Sequence, residues 1–479
     1  MSGIPHSRLG GLFAMAFHPC SLVVLAVVAA LAGGTPLHAA DPPLAFPGAE
    51  GFGRFARGGR GGDVYHVTTL DDDGPGSLRE AIASKHPAVP RTVVFDIGGT
   101  IKLKKPLRIE RVSGLTLAGQ TAPGGGITIR DQGVRFAWCQ DIIVRYMRFR
   151  LGEESKTSDD VLLVGSEDGL CLNMIFDHVS ATWGIDSIMD TYGLAGFTMQ
   201  WCMFGEALHD STHSKGPHAM LMSFRNTRGS VSIHHNLLFS SRDRHPTLGG
   251  GAPADSNTKA LFDFRNNVIY NWEGPCNLAS GRFNIVGNYW RPGPDTSTSD
   301  DDRPIAPKAE AQNVTTGWLA ANVFESRPDW TRDNDSAFEW GVRGGKYVGD
   351  VTPEKFKQPG EVVPPRDRPV TQSAEDAYAA VLAGAGASLV RDDVDRRIVA
   401  GVEDRTNRRI DSQKDVGGWP RLEPGTPLAD GDGDGMPDAW EKKHALNSRN
   451  PRDGNNVGRG GYTNLERYLD EITRTAATK

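Results

Sequence analysis

DIIVRYMRF (Asp141–Phe149), NMIFDHVS (Asn173–Ser180), FTMQWCMF (Phe197–Phe204) and SVSIHHNLLF (Ser230–Phe239) follow one another as short β-rich runs between clusters of Gly, Asn, Asp and Ser. The alternation begins at VVFDI (Val93–Ile97), LTLAG (Leu115–Gly119) and GITIR (Gly126–Arg130), and it closes with FDFRNNVIYN (Phe262–Asn271) and FNIVGNYW (Phe283–Trp290). Comparable core positions fall at Val144, Ile175, Met199, Ile233, Phe264 and Ile285, between 21 and 34 residues apart. Such spacings suit solenoid rungs with loops of unequal length. The fold class expected is therefore all-β, a parallel β-helix whose rungs each contribute several strands and stack on the next. A Greek-key sandwich would show hairpin-turn dipeptides every 8–12 residues or so, and these are sparse. Asn236, Asn266, Asn267 and Asn288 fall near strand ends, where they can stack as an amide ladder or serve as turn residues. SLREAIAS (Ser77–Ser84) predicts an N-terminal capping helix, with Ser77 and Glu80 in the S-x-x-E pattern and Leu78, Ala81 and Ile82 on its apolar face.

The rest of the chain bounds its class. It has 479 residues, 57 of them Gly, well above the ordinary ~7% and in keeping with many tight turns. A net charge of −6 excludes a broad basic surface for nucleic acid. Taken alone, it also argues against an acidic polymer as ligand. Residues 1–40 read as a secretory signal, with Arg8 as the only charged residue, an apolar run from Ser21 to Ala32, and a small-residue cleavage site at Leu37-His38-Ala39-Ala40. The apolar run is short for a span of ~20 residues. A secreted protein (extracellular or periplasmic), monomeric and free of the membrane after signal cleavage, is expected. Cys139, Cys171, Cys202 and Cys276 read as buried thiols as readily as disulfide partners. The organisation expected is a signal at 1–40, the β-helix at 41–294, a mixed extension at 295–425 with a helix in Ser373–Ala387, and a tail at 426–479.

In the tail, Asp430, Asp432, Asp434, Gly435, Asp438 and Glu441 fit D-x-D-x-D-G-x5-E without a gap. The stretch reads as an EF-hand-like calcium loop, against a plain acidic turn: oxygen ligands at alternate positions wrap the hard cation, the Gly permits the sharp turn, and the last Glu can bind through both oxygens. A second pass, NVGRGGYTNLERYL (Asn456–Leu469), has lost its acids and carries Arg467 at the final position.

Residues 201–250 hold six of thirteen His residues together with Lys215, Arg225, Arg228, Arg242 and Arg244, while Asp159, Asp160, Asp177, Asp186 and Asp190 precede them. Acids followed by bases suggest a cation site facing a cationic site across stacked rungs. No H-E-x-x-H or Cys/His spacing for zinc appears. His234 and His235 point to opposite faces of a strand, so at most one reaches a cleft.

With AFPGAEGFG (Ala45–Gly53), GPGSLREAI (Gly74–Ile82), TLAGQTAPG (Thr116–Gly124), IVRYMRFR (Ile143–Arg150), FDH (Phe176–His178), FTMQWC, HSK (His213–Lys215), IHHN (Ile233–Asn236) and R-x-P (Arg244–Pro246), the chain resembles the pectate lyases of polysaccharide lyase family 1, especially secreted bacterial members. The resemblance implies a right-handed parallel β-helix and calcium-dependent cleavage of polygalacturonate by β-elimination. Position by position, it implies calcium ligands at Asp160, Asp186 and Asp190, with Asp159 a neighbouring possibility and Asp177 structural. It implies Lys215 as a catalytic and substrate-binding cation and Arg244 as the base. Arg242 and His235 are expected to join Lys215 in binding an acidic polysaccharide such as pectin or a related uronan. The family has a further Arg where this chain has Thr247. In β-elimination the C5 proton beside the uronate carboxylate is removed. Calcium and Lys215 favour the charge that builds there, and the O4 leaving group departs without hydrolytic water. Two other classes fit less well: a β-helix hydrolase using paired carboxylates, and a carbohydrate-binding solenoid without catalysis.

Overall fold

Parallel pairing organises the chain from Asp63 to Phe324. In the computed structural model, which describes residues 41–477 apart from 168, 252–259, 298, 300–301, 308–314, 341, 344–345, 348–351 and 459, three parallel sheets of ten, nine and eight strands run the length of a coil. The signal reading of residues 1–40 lies outside the described residues. One turn of the coil visits the sheets in order. Gln140–Arg145 lies in the ten-stranded sheet, Met147–Arg150 in the nine-stranded sheet and Leu162–Gly165 in the eight-stranded sheet. The next turn repeats this with Cys171–Asp177, Ser180–Thr182 and Ser187–Tyr192. This is the expected parallel β-helix. The ladders run on past residue 294 through Ile305–Pro307, Thr315–Ala320 and Val323–Phe324, so the last partial turn lies within the stretch read as a mixed extension.

The interior column of the ten-stranded sheet is Val144, Phe176, Met199, Ile233, Phe264 and Ile285, each in register with the next. The expected Ile175 is one residue out. In a strand a one-residue slip changes the face. Ile175 pairs with Ile143 and packs outside the coil against Ala45, Phe46, Ala49 and Ala56 of the N-terminal segment. Both residues are apolar because both faces of this strand are covered.

The turn between the ten- and nine-stranded sheets needs one left-handed residue per rung. Tyr146, His178, Trp201, His235, Asn266 and Ala321 fill that place with φ between +52° and +56°. The residue after it carries the amide ladder. Asn236 donates to Asn267 Oδ1 at 2.9 Å, Asn267 to Asn288 Oδ1 at 3.0 Å, Asn288 to Asn322 Oδ1 at 2.9 Å, and Asn322 to Asn334 Oδ1 at 3.0 Å. Asn266 is instead the left-handed turn residue. All five ladder amides are at most 9% exposed, so each satisfies a backbone or side-chain group that water cannot reach.

Helix Leu78–Ala83 covers the coil's first end, with Leu78, Ala81 and Ile82 buried and Ser77 accepting the Glu80 N–H at 3.1 Å. The extension runs back along the nine-stranded sheet. Helix Ala374–Gly384 is capped by Ser373. Beyond it, Asp392 and Asp395 meet Arg150 at 2.6 and 2.8 Å, with all three side chains at most 2% exposed. Cys139, Cys171, Cys202 and Cys276 are buried free thiols. Among the described residues no helix is long and apolar enough to cross a membrane.

Removing one partner of a buried ion pair leaves the other charge stranded. Arg150→Ala is therefore expected to lower the unfolding free energy by about 3–5 kcal/mol. A shifted urea midpoint at unchanged slope measures this, and a shift below about 1 kcal/mol would contradict it.

Candidate active site

On the eight-stranded sheet, Leu162–Gly165, Ser187–Tyr192, Met220–Arg225 and Thr247–Leu248 lie side by side. Leu162, Met189 and Met222 share a row that points into the coil. The neighbouring row, Leu163, Asp190, Ser223, Thr247 and Asn277, faces outward because side chains alternate along a strand.

Asp190 is the centre of the site. Ser223 Oγ donates to its Oδ1 at 2.5 Å, and Arg244 Nη1 approaches the same oxygen at 3.4 Å. Arg225 Nη2 is bonded to Oδ2, and its guanidinium lies over the Tyr192 ring, 4.6 Å from the centroid. Arg244 also donates to Ser187 Oγ at 3.2 Å, from a left-handed position (φ +64°) where its own N–H is held by Asp243 Oδ1 at 2.7 Å. Asp160 accepts the Ser187 N–H at 3.0 Å. Burial, then the charges of Asp190 and Asp186, push its carboxyl well above the usual range.

Asp186 sits 3.0 Å from His218 Nε2 and 3.6 Å from His213 Nε2, and the two imidazoles stack with centroids 4.0 Å apart. Burial holds His218 below the usual imidazole range, although Asp186 opposes this. His213 Nδ1 accepts the Lys215 backbone N–H at 3.0 Å. Lys215 itself is exposed, and its ammonium has no hydrogen bond or ion pair among the described residues.

Asp160, Asp186, Asp190 and Arg244 are thus brought together, with Lys215 on the loop tied to Asp186 through His213. Asp159 is drawn off to Arg135 at 2.9 Å. Asp177 is structural: burial opposes its charge, but His178 and Arg145 outweigh it and hold the carboxyl far below its ordinary value. Arg242 is exposed and donates to the Pro217 carbonyl at 3.0 Å, one loop away from Asp190. His235 does not reach the cleft. It is 2% exposed, stacks on Trp201 at 4.6 Å and bonds Gln372 at 3.0 Å. Its turn position puts it in the ring stack Tyr146–His178–Trp201–His235, on the far side of the rung. Thr247 is buried in the outward row and accepts from Asn277 at 3.3 Å.

Three carboxylates converging on one half-buried site, one of them pushed toward neutrality by burial and then by the charges of the other two, match the hard oxygen donors that calcium takes. Their oxygens do not all lie within 4.8 Å of one another; that closeness is found for Asp186, His213 and His218. Arg225, Ser187, Ser223 and His218 are the contacts that sequence spacing does not reveal. The clue to Arg225 is its place two residues after Ser223, which puts it opposite Tyr192 in the ladder. In the tail, Asp430, Asp432 and Asp434 cluster as expected, and Glu441 joins Asp434. Asp438 does not; its carboxylate is turned to the Gly431 N–H at 2.7 Å.

No family model matches the chain. It is 35% identical over 446 residues to a protein of Aspergillus flavus named probable pectate lyase C, covering 91% of this chain and 96% of that one. A protein of the same name from Aspergillus fumigatus is 36% identical over 439 residues, covering 90% and 94%. Among solved structures, a pectate lyase of Xanthomonas campestris shares 15% identity at a TM-score of 0.47, over 71% of this chain and 98% of that one.

Burial lowers both His235 and His245 to about 4, so each is neutral in the folded chain at pH 6.5. The unfolded chain takes up these protons first, so stability falls as pH drops from about 6.5 to about 4 and levels off below. Each is expected to cost about 3 kcal/mol over that window. His235→Gln should flatten the decline of the urea midpoint across this range; an unchanged slope would refute the assignment.

Proposed function

The chain belongs to the pectate lyase family, and from that premise we propose that it cleaves polygalacturonate or a related uronan by calcium-assisted β-elimination, with Arg244 as the base at C5. The observation that carries this reading is the place of Arg244: half-buried, in the segment just before strand Thr247–Leu248, against Ser187 and Asp190 and beside Asp160.

An Arg side chain is a poor base because its pKa is above ~12. It must be neutral at the moment of proton transfer, and nearby cations with desolvation favour that form. Arg225 takes the closer contact with Asp190, leaving Arg244 at 3.4 Å. Asp160, Asp186 and Asp190 would hold a calcium ion, which would supply positive charge to stabilise the charge that builds beside the uronate carboxylate. Lys215, placed by His213, adds a second positive charge from the loop. Arg225 supplies the planar cation for a substrate carboxylate where Thr247 stands in place of Arg. Arg244 accepts the C5 proton on a guanidine nitrogen, the C5–H electron pair becomes the C4–C5 double bond as C4–O4 breaks, and O4 leaves with the chain it carries and takes a proton from solvent. The signal pattern of residues 1–40 supports export of the enzyme, which acts as a monomer on polymer outside the cell.

Arg244→Ala is expected to lower kcat by about 10²–10⁴-fold, the usual worth of a general base. Arg225→Ala is expected to act mainly on KM. Both are read from the absorbance of the conjugated product on polygalacturonate with calcium. Wild-type kcat in Arg244→Ala would overturn the assignment of the base.

Asp160 must be ionised to hold a cation, and its carboxyl is held well above the ordinary range. The calcium concentration for half-maximal activity should therefore rise as pH falls, starting at a higher pH than an ordinary carboxylate would give. A calcium requirement independent of pH down to the ordinary carboxylate range would contradict this.

A further inference from the structure

The acidic tail loop is built differently from its sequence pattern. Asp430, Asp432 and Asp434 bring oxygens within 4.8 Å of one another, and so do Asp434, Glu441 and Asp453. Asp453 lies beyond the motif, in the next loop. Glu441 is 0% exposed, and neither of its oxygens has a hydrogen-bond partner. Asp434 Oδ2 and Asp453 Oδ1 are also buried and unpartnered, in side chains 3% and 6% exposed. The other Asp453 oxygen accepts the Asn447 N–H at 3.0 Å, which fixes the direction of the free one. Buried unpaired carboxylates facing one another are strongly unfavourable unless a cation sits between them. Burial, ahead of neighbouring charge, raises Asp434 and Glu441 to about 7.

The back of this loop rests on the first turn of the solenoid. His66 Nε2 donates to the Gly433 carbonyl at 3.2 Å. Gly435 has φ +89°, and a Cβ there would lie 3.2 Å from Val64 Cγ1. Asn455 donates to the Gly62 carbonyl at 2.9 Å. Met436, Trp440, Leu465, Tyr468 and Leu469 bury themselves with Ala118. Together these contacts lay the tail on the outward face of strand Asp63–Val67, the outermost strand of the ten-stranded sheet, and on Ala118 two strands further in.

We propose that Asp430, Asp432, Asp434, Glu441 and Asp453 bind one calcium-class cation, separate from the cleft, which clasps the tail over the first turn of the solenoid. Asp438 takes no part as a ligand; it closes the loop through Gly431. The oxygen-only donor set and the five carboxylates from two loops suit a large, flexible coordination sphere. The proposal stands whether or not the cleft holds calcium.

The test uses the full chain and calcium alone. Equilibrium dialysis should show Asp453→Asn and Glu441→Gln each losing one bound calcium relative to wild type, while Asp438→Asn keeps it. Asp453→Asn retains an oxygen for the Asn447 N–H, which preserves the local fold; circular dichroism checks this. Hydrogen exchange in Asp63–Val67 should speed up about tenfold or more on calcium removal in wild type, and calcium should not slow it in Asp453→Asn. An unchanged calcium stoichiometry in Asp453→Asn would overturn the site. Loss of the ion without any change of exchange in Asp63–Val67 would overturn the clasp. Loss of the ion in Asp438→Asn would restore the sequence-motif geometry in place of the one proposed.

Discussion

In-register stacking of parallel strands sets everything else. Strands about 4.8 Å apart place equivalent side chains of successive rungs in columns. One such column inside the coil is a run of apolar residues from Val144 to Ile285. One at the turn is a run of amides from Asn236 to Asn334. One on the outside holds Asp190 beside Ser223 and Thr247. The site is thus an interruption of a repeating pattern. A carboxylate stands between Leu163 and the small polar Ser223 and Thr247 of the column, and Arg225 and Arg244 come to it from later rungs. Register delivers Ser223 and Arg225 to Asp190, and the segment leading into strand Thr247–Leu248 brings Arg244.

The same constraint explains what was legible in the chain. The β-rich runs alternate with turn residues because each rung repeats one task, so the coil could be read from spacing alone. The Asp160, Asp186, Asp190 and Arg244 group was legible only through resemblance to pectate lyases, since its members are spread over more than 80 residues. Ile175 was misplaced because both faces of its strand are covered and an apolar residue therefore says nothing about direction. His235 looked free for a cleft because sequence does not show that its turn residue is left-handed and stacked under Trp201. Arg225 was invisible as a partner of Asp190 because its clue is cross-strand register. Asp438 and Asp453 exchanged roles for a related reason: the motif is local, and the buried cluster draws its last carboxylate from the next loop.

Net charge was the least informative quantity. A chain at −6 seems ill suited to an acidic polymer. Much of its acid is engaged locally, in the ion pairs of Asp392 and Asp395 with Arg150, in the cleft and in the tail. Lys215, Arg225 and Arg244 leave the cleft cationic on an acidic protein once its carboxylates are neutralised. Local constellation, and not the global sum, decides which ligand is drawn in.

The central claim is elimination at an arginine-based site, and the products of polygalacturonate digestion test it most directly. Mass spectrometry of oligomers released by wild-type protein with calcium should find chains lighter by one water than the saturated series, each carrying the conjugated double bond. Saturated oligomers of full mass, with no absorbance from a double bond, would contradict the account and point to hydrolysis by paired carboxylates instead.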